Sequence, residues 1–305
     1  MSLQVAESAI QQAEHADEAG GGLWREAFRR LVRKPAAIIG AIFVAIFVIV
    51  AVFAPLIAPY SPTATDLSQI KGPGHIPGPS STHWLGLDDL GRDVFSRMIY
   101  GARQSLVVGV VSMAFGMVGG IILGLLAGGL GGWVDATIMR FVDMMLAIPG
   151  LLFAIGIAAM LGQSLVSVMI AIGVVNIPVF ARLLRGQMLA QREADYALAA
   201  KSLGVKRSRI ILGHVFPNSL SPVIVQGTLT LATAIIEAAG LAFLGLSGAD
   251  PAIPEWGRML ADTQKFLTSA PQLVFYPGIA IVLSALGFTL LGESLREALD
   301  PKNRR

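Results

Sequence analysis

Cysteine is absent from the chain, which excludes disulfides, thiolate nucleophiles and cysteine-based metal sites. Charge is scarce as well. Asp, Glu, Lys and Arg make up 14% of the residues against 54% hydrophobic, where a soluble domain carries roughly a quarter charged. That is too little to cover a water-facing surface. The phosphate-binding pattern Gly-x-x-x-x-Gly-Lys-Ser/Thr occurs nowhere, so no loop of that kind cradles a nucleotide. His15, His75, His83 and His214 are scattered and lack the spacing of a metal site. The apolar segments hold neither a Ser/His/Asp set nor a pair of carboxylates. An intramembrane enzyme would need one.

What the chain has in abundance is long uncharged blocks. Residues 36–58 run uncharged, enough to cross about 30 Å of hydrocarbon at 1.5 Å per residue. Pro59 and Pro62 close that first span, and the polar, Gly/Pro-rich stretch 59–103 reads as an external loop. A second span lies within 104–134, with glycine at 116, 120, 124, 128 and 132. That register lines one helical face and predicts close approach of another helix. Residues 144–181 form an uncharged block too long for one crossing, and Gly162-Gln163-Ser164 predicts its division into two spans. A fifth span, 215–246, is interrupted only by Glu237, and a sixth occupies 266–292. The expectation is an all-α integral membrane protein of six transmembrane helices, its core at 104–293 and a short tail at 294–305.

Before the first span, residues 1–22 read as a polar tail rather than a signal peptide, since acidic residues replace the apolar core expected near Met1. Trp24–Lys34 alternates Arg25, Arg29, Arg30 and Arg33 with Trp24, Phe28 and Leu31. This predicts a basic amphipathic helix on anionic membrane lipid, within a cytoplasmic segment 1–35. With the N-terminus inside and six crossings, 17 of the 23 Lys and Arg fall inside and 6 outside. Both termini are therefore expected in the cytoplasm.

Most loops between membrane helices are short, but 182–214 is long, basic and partly helical by propensity. Arg192–Leu203 contains good helix formers and Gly204 stands where a helix would stop. Ser208 is placed to cap a second short helix through Leu212, which Pro217 should end before the fifth span. The small Ala199-Ala200 pair allows a close fit against another surface. Two readings stand at this point: a projecting helix-turn-helix that docks on something, or a basic juxtamembrane helix that only snorkels.

The residues here resemble a known family. Tyr196-Ala-Leu-Ala199-Ala200-Lys-Ser-Leu203-Gly204, followed by His214-Val-Phe-Pro217-Asn218, is similar to the EAA loop of ABC-importer permeases in its peptide-type form. Leu198 stands where the general pattern has glutamate. His83-Trp-Leu-Gly-Leu-Asp-Asp-Leu-Gly-Arg-Asp-Val-Phe-Ser-Arg97, Tyr100–Leu106, Met139–Asp143 with Pro149, Glu237–Leu246, Pro254–Gly257 and Leu295–Pro301 extend the likeness over roughly 24–303. The chain thereby resembles C-type subunits of dipeptide, oligopeptide, glutathione and nickel importers. The resemblance implies a type I importer permease that moves short peptides inward. Tyr196, Ala199, Ala200, Leu203, Gly204, His214 and Pro217 would couple it to an ATPase. It implies a homologous B-type permease partner, one or two ABC ATPase subunits holding ATP and Mg, and an extracytoplasmic solute-binding protein. No cofactor is implied in this chain, and no nucleic acid. A stand-alone channel, the remaining alternative, would leave the 182–214 loop without a purpose.

Five further residues are candidates for a pore or gate. Glu237 is an ionisable group in an apolar span, costly unless paired or wetted, and pairing with another helix is the preferred reading. Arg140 and Asp143 stand three apart, at the spacing of a salt bridge on one helix. Pro149 and Asn176, with Pro178, would bend the third and fourth spans and expose a polar group, or act only as packing kinks. Asp88, Asp89, Arg92, Asp93 and Arg97 read as a solvated surface helix with internal ion pairs.

Overall fold

The computed structural model describes residues 31–70, 72, 76–248, 250 and 252–299. The expected N-terminal tail, most of the basic segment 24–34, His75 and the end of the C-terminal tail lie outside them. Among the described residues the chain is helical, with only two isolated bridges, Thr65 to Arg92 and Leu87 to Asp93.

Helix α1, Pro35–Val52, opens with proline in its first turn, where the missing N–H costs nothing, and a short α2, Ala54–Ile57, follows. Ile38, Ile42, Ile46 and Ile49 leave α1 apolar and exposed along one side, as suits a helix bathed in lipid. Helix α3 is long, Val94–Leu130. At 1.5 Å per residue its 37 residues span about 55 Å, well beyond the hydrocarbon core, so its first turns stand outside it. It starts ten residues earlier than the uncharged block because the Asp93 carboxylate accepts the Ser96 N–H at 2.7 Å and caps it.

Helices α4, Gly132–Leu146, and α5, Gly150–Leu161, meet at 93°. The third span is therefore broken and not merely bent at Pro149. Pro149 disfavours helical geometry at Ile148 and itself becomes the extended cap of α5. Helix α6, Leu165–Arg192, begins with Ser164 capping Ser167 and carries Pro178 inside it. The division at 162–164 is as the sequence predicts. Among the described residues five helices are long and apolar enough to cross a membrane, making six spans if the broken pair counts as one.

The next segment departs from expectation. Helix α7, Asp195–Ser202, and the turn at Gly204 are present. Beyond them α8, Arg207–Ile210, passes through a π turn at Ile211–Val215 straight into α9, Phe216–Phe243. Lys206, not Ser208, occupies the cap position, and Pro217 does not end the helix. The reason is hydrogen-bond slack. In the π turn the Phe216 N–H reaches back five residues to the Ile211 carbonyl, and that offset accommodates a proline at the next position. An external helix α10, Trp256–Thr263, and the last span α11, Gln272–Leu299, complete the chain.

The longest interface joins α3 to α6. A Cβ on Gly116 would stand 2.8 Å from the Gly173 carbonyl oxygen, on Gly120 2.3 Å from Phe180 Cβ, on Gly124 2.8 Å from the Ala181 oxygen, and on Gly128 3.0 Å from Met188 Cβ. Four of the five in-register glycines thus make the seam. Gly132 does not: it begins α4 at positive φ with nothing within 4 Å. Helix α9 packs on α3, α6 and α11, α1 packs on α11 and α3, and α5 lies on α6.

At one end, residues 59–70 and 76–93 fold back over α10 and the start of α3. Asp88, Arg92, Asp93 and Arg97 are buried here, not arrayed on a solvated helix. The run 81–93 is irregular, and its charges pair inward. Arg92 Nε donates to Asp88 at 2.7 Å, Arg97 approaches the same carboxylate at 3.5 Å, and His83 Nδ1 meets Asp93 at 2.9 Å. Lys265 ties Asp89 at 2.8 Å. Glu255, 3% exposed, caps α10 by accepting the Gly257 N–H. Burial pushes its carboxyl up to about 7, against the pull of Arg258 and of backbone N–H donors.

Candidate functional site

At the opposite end of the bundle, α7 hangs between two turns, and together with the turn that ends it carries five of the seven predicted coupling residues. Its end is a full Schellman closure. Gly204, at φ +76°, donates its N–H to the Lys201 carbonyl at 3.0 Å, and Val205 donates to Ala200 at 3.1 Å. A left-handed residue is required there, which is why glycine stands at that position.

The helix has two sides. Ala197 is buried, and Ala200 and Val205 pack beside it against Phe180, Leu184, Met188, Ile210, Ile211 and Val215. The opposite side shows Tyr196, Leu198 and Ala199 to solvent, and Leu203 is 84% exposed. The two adjacent alanines therefore divide their roles: Ala200 faces the bundle and Ala199 faces outward. Tyr196 is fixed by its hydroxyl, which donates to Gln191 Oε1 at 2.7 Å. His214 and Pro217 are exposed along the π turn and the start of α9. An apolar surface on a short, rigidly terminated, projecting helix is suited to sit in a groove on another protein.

The chain below this helix is held by arginines that the sequence analysis did not single out. Arg185 forms a two-pronged pair with Asp135 of α4, both contacts at 2.6 Å. Arg182 pairs with Asp143. The expected Arg140–Asp143 bridge is thus replaced: Asp143 turns to α6, and Arg140 is exposed on α4. These pairs anchor the inner half of the broken span to α6. Spacing within one helix could not reveal them, because each partner lies some 40 to 50 positions away.

Of the remaining pore candidates, Asn176 is 8% exposed, donates to the Ile172 carbonyl of its own helix at 2.9 Å, and presses against Gly116. It lies in the α3–α6 seam. Pro149 marks the 93° break. Glu237 is half-buried in α9, and its Oε2 has no hydrogen-bond partner among the described residues. The expected pairing with another helix is absent among the described residues. Beside it Thr233, Ile236 and Phe243 are exposed, so this strip of α9 is left uncovered by the described helices. No group of three or more His, Asp or Glu suited to a metal occurs among the described residues.

Residues 120–305, from the glycine seam through the α7 turn to the end, match the model of the binding-protein-dependent transport system inner membrane component. The chain belongs to that family. Residues 22–76 match the N-terminal transmembrane domain of oligopeptide transport permease C. The permease is 48% identical to a dipeptide transport system permease protein of Alkalihalophilus pseudofirmus, over 92% of this chain and 90% of that protein. It is 42% identical to a glutathione transport system permease protein of Pectobacterium atrosepticum, over 92% and 91%. A probable D,D-dipeptide transport system permease protein of Escherichia coli is 43% identical over 80% of each. The permease is accordingly a multi-pass component of a bacterial inner membrane.

Proposed function

We propose that this permease imports short peptides as one of two homologous permease subunits, fed by an extracytoplasmic solute-binding protein and driven by one or two ABC ATPase subunits that hold ATP and Mg. The cargo class is supported by the names of its relatives, which transport dipeptides, D,D-dipeptides and glutathione. These ligands share a short amide backbone with charged ends. The concentration of Lys and Arg in 25–34, 182–209 and 296–305 supports a cytoplasmic position for α7 and both termini. The partner permease has a natural seat on the uncovered strip of α9 beside Glu237.

The observation that carries the mechanism is α7 itself. Its Tyr196, Leu198 and Leu203 face outward, while Ala197 and Ala200 root it in the bundle. Closure of the ATPase pair around nucleotide presses on α7, and the root transmits that displacement to the spans. Gly204→Pro tests the reading, because proline cannot take a positive φ and lacks the N–H that closes the turn. With the complex in liposomes, ATP enclosed and labelled dialanine or glutathione outside, the variant assembles but accumulates no cargo, with hydrolysis uncoupled or lost. Uptake at the wild-type rate would reduce 182–214 to a juxtamembrane helix.

A further inference from the structure

Helix α3 ends abruptly at Gly131, whose φ of +71° breaks the run. The last carbonyls of any helix lack partners within it and carry the negative end of its dipole. Here two guanidinium groups supply the missing donors. Arg192 Nη1 donates to the Gly128 carbonyl at 3.2 Å. Arg207 Nη2 donates to Gly129 at 2.9 Å and to Leu130 at 2.8 Å. The same two groups flank Gly131, where an added Cβ would sit 3.6 Å from Arg207 and 4.0 Å from Arg192.

Their places in the chain give the arrangement its meaning. Arg192 is the last residue of α6 and Arg207 the first of α8, so the two bracket α7 on either side. Both ends of the projecting segment are thereby fastened to a single helix end. That helix is in turn seamed to α6 through its glycines, and α4 continues from it, gripped at Asp135 by Arg185. The apolar root of α7 belongs to a cluster shared by α6, α8, the π turn and α9, to which α3 contributes Met113, Met117, Ile121 and Leu125 from its middle turns and nothing from its last one. The arginines are the direct hydrogen-bonded link from the segment around α7 to the end of α3.

We propose that Arg192 and Arg207 are positioning residues that clasp the segment carrying α7 to the C-terminal end of α3, so that a displacement of α7 moves α3 and the helices joined to it. This rests on the reading of α7 as the ATPase-coupling element. Without the clasp α7 still docks and its apolar root still bears on α6 and α9, but the turns at 193–194 and 203–206 take up part of its movement and the end of α3 no longer follows it.

The absence of cysteine makes a direct test possible. Spin labels are placed on Leu203→Cys, 84% exposed, and Trp133→Cys, 79% exposed just after the end of α3. Distances are measured by pulsed electron resonance in the full complex in nanodiscs, nucleotide-free and trapped with ATP and vanadate. In the otherwise wild-type chain the pair keeps one narrow distance in both states, because the two sites move together. In Arg192→Gln/Arg207→Gln the nucleotide-free distance is nearly retained, while trapping shifts it by a few ångströms and broadens it. Arg192→Lys/Arg207→Lys restores part of the narrow distribution, since a cation still faces the carbonyls. A merely structural loss would change both states alike. The same Leu203 label separates the two layers of the argument. If adding the ATPases does not immobilise it, the coupling reading fails and the clasp with it. If it is immobilised but the glutamine variant matches wild type in both states, the clasp alone is overturned.

Discussion

Replacing Gly120 with alanine adds one methyl group at the tightest point of the α3–α6 seam. An ideal Cβ there falls 2.3 Å from Phe180 Cβ, 2.8 Å from the Ile177 carbonyl oxygen and 2.9 Å from the Ala181 nitrogen. Two of those neighbours are backbone and the third is a Cβ, so none can swing aside by changing rotamer. Reaching ordinary contact at 3.4 Å requires the helices to part by about 1 Å, which loosens the neighbouring contacts at Gly116 and Gly124 as well. Overpacking of this kind costs about 1–3 kcal/mol, and the upper half of that range is the expectation here. Gly119, one position along, is the matched control. Its added Cβ would meet only the Ile177 side chain, at 2.9 Å, and that chain can turn away, so Gly119→Ala costs less than about 1 kcal/mol. Gly156→Ala, with nothing within 4 Å, is neutral. Thermal challenge of the detergent-solubilised complex, followed by fluorescence-detected size exclusion, ranks the three. Equal tolerance of Gly120→Ala and Gly119→Ala would refute the claim that backbone proximity holds these helices together.

Two further outcomes follow from single residues. The Glu255 carboxyl, moved by burial from 4.5 to about 7, binds its proton more tightly in the folded protein, so folded stability falls as pH rises from about 4.5 to about 7 and is level above. At about 1.4 kcal/mol per tenfold change in proton affinity, that slope amounts to about 3 kcal/mol. Glu255→Gln should flatten the pH dependence of thermal stability across this window and raise stability at pH 8; an unchanged profile would show that Glu255 does not set it. At Gly204, alanine has room for its methyl but must adopt a positive φ, at a cost of about 1–2 kcal/mol. Gly204→Ala is therefore expected to retain transport with a small loss of stability in the same liposome assay that Gly204→Pro fails, and equal failure of both would mean that the turn's N–H and its closure are not what matters.

The spans and the projecting segment were legible in the sequence because their signals are local. Uncharged blocks mark crossings, a four-residue glycine register marks a seam, and a glycine after a run of helix formers marks a stop. Contacts between distant segments left no such mark. Asp88, Arg92, Asp93 and Arg97 show a charge pattern like that of a solvated helix, and only the fold of 76–93 over α10 reveals that they face one another in the interior. Asp143 has a cation three residues away on its own helix but pairs across to Arg182. Pro217 has the usual sense of a helix stop, and a π turn just before it removes the conflict. The arginines at 185, 192 and 207 read from sequence only as inside-positive charge; their second task, holding Asp135 and the end of α3, depends on partners far away in the chain.

The central claim is that α7 seats on an ATPase subunit, and cross-linking reads that contact most directly. A benzophenone maleimide on Leu203→Cys, the sole cysteine of such a variant, would be photoactivated in the assembled complex. The same label on Leu56→Cys, 82% exposed beyond the end of α1, serves as the control. The account predicts an adduct between the Leu203 position and an ATPase subunit, and none from Leu56. A Leu203 label that never captures an ATPase subunit in an actively hydrolysing complex would contradict it.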